Sequence, residues 1–117
     1  MALQSTSYPV LSIPAGSTAT TVVPNVLDNT HSMANHSCYI VIAGTLTAGL
    51  VTLETSLDNV NWTAAAAQGG SAVTAAGFST GTGIYVLTLT GCPAQFVRAA
   101  ITTTITGGTI TAWVASA

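Results

Sequence analysis

Residues 50–63 read LVTLETSLDNVNWT, which combines a strand, a turn and the beginning of a returning strand. Alternate side chains in its first half share one face of the predicted strand, and these are Val51, Leu53, Thr55 and Leu57. Asp58 and Asn59 then favour a turn, because both residue types bond to nearby backbone and tolerate left-handed geometry. Trp62 begins the strand that returns after this turn. This stretch therefore predicts two antiparallel strands joined by a polar corner.

The composition of the 117-residue chain favours the same kind of structure. Only 3% of its residues are charged, against roughly 25% in an ordinary globular protein, while threonine occurs 21 times. Threonine has a high strand propensity because its branched side chain suits a pleated, half-exposed surface. A disordered chain would combine low hydrophobicity with high charge, whereas 49% of this chain is hydrophobic. We therefore predict a single all-β domain.

Other segments of strand length follow at intervals of about ten residues, at 7–16, 17–24, 38–44, 61–67, 84–91, 95–105 and 109–115. Turns predicted at 45–49 (TLTAG) and 106–108 (TGG) would divide the chain into eight or nine short strands. The last segment would point Ile110, Ala112 and Val114 inward. This is the pattern of an antiparallel β-sandwich or jelly roll.

Two prolines set the first sixteen residues apart. Pro9 and Pro14 cannot donate to a sheet ladder, so residues 1–16 are predicted to be an edge strand or an extended N-terminal arm. The sandwich domain would then comprise residues 17–117. No run approaches the ~18–20 apolar residues of a membrane helix, and the N-terminus lacks a basic secretory start. We therefore expect no membrane partner, and a protein made in the cytosol.

Residues that usually carry catalysis or bind metals are few. Asp28, His31 and His36 fall in a polar stretch, 25–37, which we interpret as a long solvated loop rather than a metal site, because a fourth ligand is missing. Glu54 and Asp58 would lie ~13 Å apart along a strand, too far for a catalytic pair unless the turn folds Asp58 back. We therefore predict no enzymatic activity, no metal and no cofactor.

Four other side chains have competing interpretations. Cys38 and Cys92 are expected to be thiols, as in a reducing compartment. Arg98, the only positively charged side chain apart from histidine, is expected to pair with Glu54 or Asp58 or to lie at a subunit interface. It cannot form the basic patch that nucleic acid requires. Trp62 is expected to pack within the fold, although a tryptophan can also stack on a sugar ring.

An ordered series of motifs over residues 50–115 resembles small structural proteins of tailed bacteriophages. The motifs are SLDNVNWT at 56–63, the G-x-Y-x-L strand at Gly83–Leu87, FVRAAI at 96–101 and TGGTITAWV at 106–114. Those proteins often carry an S-x-D-G-x-N-W turn, a strand containing arginine and a terminal glycine hairpin. Asn59 stands where their turn usually has glycine, and asparagine also tolerates a left-handed conformation.

This resemblance implies a capsid decoration, or cement, protein on the exterior of a virion. Its partners would be the major capsid protein and copies of itself, as a dimer or trimer. Self-association also agrees with a net charge of only −2, which does little to keep copies apart. The candidate interface lies in the N-terminal segment, at Tyr8, Pro9, Val10, Leu11 and Ile13. The alternative is a tail or fibre module that binds a receptor or carbohydrate through Trp62 and Tyr85.

Overall fold

A computed structural model describes residues 9–28, 34–64, 72–74 and 83–117 of the chain. These residues form one antiparallel sheet, which confirms the all-β prediction. Its strands are β1 (Val10–Ser17), β2 (Leu27–Asp28), β3 (His36–Ser56), β4 (Trp62–Ala64), β5 (Ala72–Thr74), β6 (Gly83–Leu89) and β7 (Phe96–Ser116). The described ranges contain no helix long and apolar enough to cross a membrane.

Two strands of 21 residues, β3 and β7, form the centre of the sheet. They pair along their whole length, from His36 opposite Ser116 to Ser56 opposite Phe96. The turns predicted at 45–49 and 106–108 are therefore wrong, and so is the division into eight or nine short strands. The described residues contain seven strands, because each predicted turn lies within one long strand instead of joining two short ones.

The predicted turns are irregularities of the ladder between β3 and β7. Its register shifts between Gly44 and Ala48, between Ala48 and Leu50, and between Leu50 and Val51. Gly107, on the facing strand, has a φ of 86°, and a Cβ atom there would clash with the carbonyl oxygen of Thr45. A β-bulge uses glycine for the same reason as a tight turn does, namely its access to positive φ.

The shifts divide the sheet into two parts. Half-sheet I contains residues 36–44 of β3 and 108–116 of β7, flanked by β1 and β6. Half-sheet II contains residues 50–56 of β3 and 96–103 of β7, flanked by β2, β4 and β5. In half-sheet I the even-numbered residues within 36–42 and 110–116 are buried, whereas in half-sheet II the odd-numbered residues within 51–55 and 97–101 are buried. An inserted residue changes which face a side chain occupies, so the bulges keep apolar residues inward in both halves.

One core unites the two halves. Its members include Cys38, Ile40 and Ile42 from half-sheet I and Val51, Leu53, Val97 and Ala99 from half-sheet II. A straight strand of 21 residues would extend about 70 Å, yet the longest dimension of the molecule is 47 Å. The long strands therefore bend. Ile110, Ala112 and Val114 are buried in this core, as predicted.

Strand β1 connects the halves along one edge. It pairs with β7 in half-sheet I and lies at the end of the strand order. Its buried Ser12 accepts a hydrogen bond from the backbone N–H of Ala99 in half-sheet II (2.9 Å). Residues 14–16 continue β1, whereas the strand predicted at 17–24 is irregular beyond Ser17.

Candidate interaction surface

The corner after β3 is built around the Asp58 carboxylate, as the sequence predicted. Asp58 Oδ1 accepts hydrogen bonds from the backbone N–H groups of Val60 (2.9 Å) and Asn61 (2.8 Å). Asp58 Oδ2 accepts one from the Asn61 side chain (2.6 Å). Ser56 Oγ accepts from the backbone N–H groups of Asp58 (3.2 Å) and Asn59 (3.0 Å). Asn59 has a φ of 62°, the left-handed conformation expected of it.

These contacts determine the chemistry of Asp58. Hydrogen bonds from Asn61 and Val60 stabilise the charged carboxylate and hold its pKa well below the usual range. Both oxygens are occupied within the turn. The carboxylate is therefore a structural group that is ionised at neutral pH. Leu57 is exposed, so the buried part of the face that Val51, Leu53, Thr55 and Leu57 were predicted to share ends at Thr55.

Arg98 pairs with Glu54 rather than with Asp58. The two residues lie opposite each other on neighbouring strands, and Arg98 Nε is 2.7 Å from Glu54 Oε1. The guanidinium carbon also lies 4.0 Å from the centre of the Trp62 ring, a cation–π contact. Trp62 is half-buried beneath it, so the tryptophan packs within the fold. This cluster occupies the outer face of half-sheet II.

An open cleft of about 350 Å³ lies beside the corner. Its walls come from the ends of β3 and β4 and from the segment before β7, and they include Thr55, Asp58, Asn61, Cys92 and Pro93. Asp58 and Asn61 contribute their polar groups to the turn itself. The cleft is therefore a by-product of the corner, with its carboxylate already committed.

His36 is buried at the start of β3, contrary to the predicted solvated loop. Its Nδ1 is 2.7 Å from Ser116 Oγ, and its Nε2 is 2.8 Å from the carbonyl oxygen of Cys92. Since a carbonyl only accepts, Nε2 carries the proton and Nδ1 accepts from the serine hydroxyl. Burial lowers the pKa of His36 and keeps it neutral. The residue therefore fastens one end of half-sheet I to the segment before β7.

The other suspected metal or redox residues have structural surroundings. Cys38 and Cys92 are thiols and not a disulfide, as predicted, and burial raises the pKa of Cys38 to about 12. Asp28 is exposed in β2, and His31 lies outside the described residues. Within the ranges that the structure describes, no three histidine, cysteine, aspartate or glutamate side chains are grouped closely enough to hold a metal ion.

The predicted N-terminal interface residues differ in their surroundings. Pro9 is exposed, Val10 and Leu11 are half-buried in β1, and Tyr8 lies outside the described residues. Ile13 is completely buried in the core, so it cannot itself contact a partner in this conformation. The accessible part of this segment is thus the beginning of β1.

Trp62 and Tyr85 do not form a common carbohydrate-binding surface. Trp62 lies on the outer face of half-sheet II beneath Arg98. Tyr85 lies opposite the buried Ile40 in half-sheet I and packs against the core. The two rings belong to different halves and to different faces, so they cannot stack on one sugar together.

A different surface stands out on half-sheet I. Five large apolar side chains on its outer face are between 38% and 65% exposed, and they are Tyr39, Val41, Ile84, Val86 and Trp113. Tyr39 lies opposite both Val86 and Trp113, and Val41 lies opposite Ile84. Directly opposite side chains in an antiparallel sheet are in contact distance. We call this continuous set of five side chains the apolar face.

Charge is confined to the other half of the molecule. The chain has four Asp, Glu, Lys and Arg side chains in all, namely Asp28, Glu54, Asp58 and Arg98. Asp28 is in β2, Glu54 and Arg98 pair across half-sheet II, and Asp58 is in its corner. The apolar face therefore contains no charged side chain. A contact there would be formed by apolar area and shape, with little dependence on salt.

Sequence reasoning missed the apolar face, although a signal was present. Residues 38–42 (CYIVI) and 84–87 (IYVL) are apolar at consecutive positions, which is typical of a strand covered on both faces. Residues 38–44 lie in the central strand β3, but only one face of this part of the strand is covered within the described residues. No known protein family, curated protein or solved structure matches the chain.

Proposed function

We propose that the protein is a non-enzymatic structural component of a phage virion, a decoration protein that binds the capsid exterior and bridges neighbouring major capsid subunits. The observation that carries the proposal is the apolar face, an uncharged and continuous surface of aromatic and aliphatic side chains. The largest apolar patch on a protein surface is often functional, and patches larger than usual mark interaction sites. The resemblance of the motif series to phage structural proteins supports a phage virion as the assembly.

A decoration protein needs one contact to the capsid and gains from another to its own copies, because many weak contacts then act together. The apolar face and the edge strand β1 are two separate surfaces of this kind. β1 forms the end of the sheet order, and Asn25 covers part of its outer edge by hydrogen bonds to the carbonyl oxygens of Leu11 and Ser12. A strand of a partner can add to the part of this edge that Asn25 leaves uncovered. In this proposal the bent sheet is a β-sandwich or jelly roll, and residues 1–16 act as its edge strand or arm toward the capsid.

The test is rebinding to capsids that lack the protein, measured by co-sedimentation. We expect saturable binding that changes by less than about threefold between about 0.05 and about 0.5 M salt, because apolar contacts are not screened. Removal of residues 1–8 should weaken binding while leaving the described fold, which begins at Pro9, intact. No binding, or binding abolished by the salt increase, would refute the proposal.

A tail or fibre location is the second possibility for the same kind of protein. Copy number separates the two, since a decoration protein is present in hundreds of copies per particle and a tail component in a handful. Quantitative mass spectrometry of purified particles measures this ratio directly. A receptor- or carbohydrate-binding role would additionally require glycan binding that is lost in Trp62→Ala while the fold survives.

A further inference from the structure

We infer that the apolar face binds a second copy of this chain, through the same face of that copy, in a dimer with two-fold symmetry. The inference rests on the proposed structural role and specifies its partner. In such a dimer the outer faces of two half-sheets I pack against each other. Antiparallel sheets pack in this manner at about 10 Å separation when both faces are apolar.

The area of the apolar face supplies about two thirds of what a stable dimer interface requires. The five side chains of the apolar face leave roughly 400 Å² of apolar surface exposed, given about 150–250 Å² for a whole aromatic side chain. Two copies would thus bury roughly 800 Å² from these residues, and stable interfaces begin near about 1,200 Å² in total. The remainder would come from neighbouring residues on the same face, which are Leu11, Ser37, Thr88, Thr111 and Ala115.

The distribution of charge selects the same partner. An uncharged surface binds best to another uncharged surface, because a charged group on the partner would lose its hydration without an opposite charge to replace it. The apolar face of a second copy meets this condition. All four charged side chains lie in half-sheet II of each copy, away from the contact. With a net charge of −2 per chain, repulsion between two copies is weak.

The position of the aromatic residues fits a symmetric contact. Tyr39 lies in the middle of a row between Val86 and Trp113, with Val41 beside it on the same strand. In a two-fold dimer the same patch is used by both copies, so a central aromatic residue packs near its own symmetry mate. Aromatic side chains at the centre of an interface supply a large share of its binding energy. Tyr39 and Trp113 are therefore the expected anchors.

The experiment is analytical ultracentrifugation of the full chain over a range of concentrations. The main variant is Val86→Lys, and its matched control is Val23→Lys, since Val23 is an exposed valine outside the apolar face. We expect a dimer for the wild type and for Val23→Lys. A lysine ammonium buried in the contact should raise the dimer dissociation constant at least about tenfold in Val86→Lys. Circular dichroism and thermal unfolding verify that each variant is folded.

A second measurement avoids substitutions in the apolar face. The chain has two tryptophans, so Trp62→Phe leaves Trp113 as the sole fluorophore of its kind and keeps an aromatic ring under Arg98. As concentration rises through the dimer transition, quenching of Trp113 by acrylamide should decrease. A wild-type chain that stays monomeric at high concentration, with Trp113 equally quenched throughout, would overturn the inference. Equal effects of the Val86→Lys and Val23→Lys substitutions would also overturn it.

Capsid binding separates this inference from the proposed function. A monomeric chain that binds capsids through the apolar face, shown by loss of binding in Val86→Lys, would refute the dimer and leave the decoration role intact. A chain that forms the expected dimer but does not bind capsids would support the dimer and refute the decoration role.

Discussion

His36 offers a quantitative test of how the sheet is fastened at one end. Replacing it with leucine keeps a similar volume but removes both hydrogen bonds, to Ser116 Oγ and to the carbonyl oxygen of Cys92. Each buried hydrogen bond contributes about 1 kcal/mol net, and more when its loss leaves a buried polar group in apolar surroundings. We therefore expect His36→Leu to reduce the free energy of unfolding by about 2–3 kcal/mol, a large part of the ~5–15 kcal/mol of a typical domain.

Two further variants divide this loss. Ser116→Ala removes the hydroxyl that donates to Nδ1 and keeps the hydrogen bond of Nε2 to Cys92, so it should cost about 1 kcal/mol. In His36→Gln the amide group can still donate to the Cys92 carbonyl, and the cost should fall between those of Ser116→Ala and His36→Leu. Urea unfolding followed by tryptophan fluorescence measures all three. A His36→Leu protein within about 0.5 kcal/mol of the wild type would refute the structural role, since that is the range of ordinary surface substitutions.

The same site predicts how stability depends on pH. Burial lowers the pKa of His36 in the folded protein, so below about pH 6.5 the unfolded chain binds a proton that the folded one resists. The stability contributed by neutral His36 is complete above that pH and is lost as the pH falls toward the lowered pKa. One proton limits the slope to about 1.4 kcal/mol per pH unit. His36→Gln should abolish the dependence, whereas His31→Gln should retain it, and the reverse result would contradict the assignment.

Three other substitutions test separate parts of the fold. Gly107→Ala should destabilise the protein by about 2–4 kcal/mol in thermal unfolding, because the new Cβ atom adds a clash to an unfavourable positive φ. Gly16 has a similar φ but no atom within 4 Å of an added Cβ, so Gly16→Ala should cost only about 1 kcal/mol. Equal costs for the two substitutions would mean that the bulge is not tightly packed. A double-mutant cycle of Arg98→Ala and Glu54→Ala should give a coupling energy of about 0.5–1 kcal/mol. A coupling energy of zero would show that the ion pair does not contribute to the free energy of unfolding. Asp58→Asn should lower the free energy of unfolding at neutral pH, because a carboxyl group with a depressed pKa stabilises the fold only while it is ionised. The variant should also lack the loss of stability that Asp58 protonation causes below about pH 4 in the wild type. An unchanged dependence of stability on acid pH would contradict this.

The corner and the ion pair were predictable because their signals are local or arise by elimination. Asp58 and Asn59 are turn residues in their own right, and the turn they form spans only a few residues. The chain has only three acidic residues that Arg98 could pair with, and the register of β3 and β7 places Glu54 opposite it. Such features depend on side-chain type more than on the path of the chain.

The long strands and the buried histidine were not predictable from the same evidence. A glycine with positive φ serves a tight turn and a bulge equally well, so TGG at 106–108 does not reveal whether the chain reverses or continues. His36 is hydrogen-bonded to Ser116 and Cys92, which are 80 and 56 residues away in sequence. The residues that flank His36 in sequence give no signal of these partners. In both instances the deciding contact lies on a strand that is remote in sequence.

The two long strands place two outer faces of opposite character next to each other on one sheet. On half-sheet II the Glu54–Arg98 pair covers Trp62, and burying this pair against another protein would cost its remaining hydration. On half-sheet I the equivalent outward positions of the same strands hold Tyr39 and Trp113, with no charge to oppose a partner. Charges on exposed strands are a common defence against unwanted sheet association. Their presence on one half and absence from the other therefore directs association to half-sheet I, where a contact costs no buried charge.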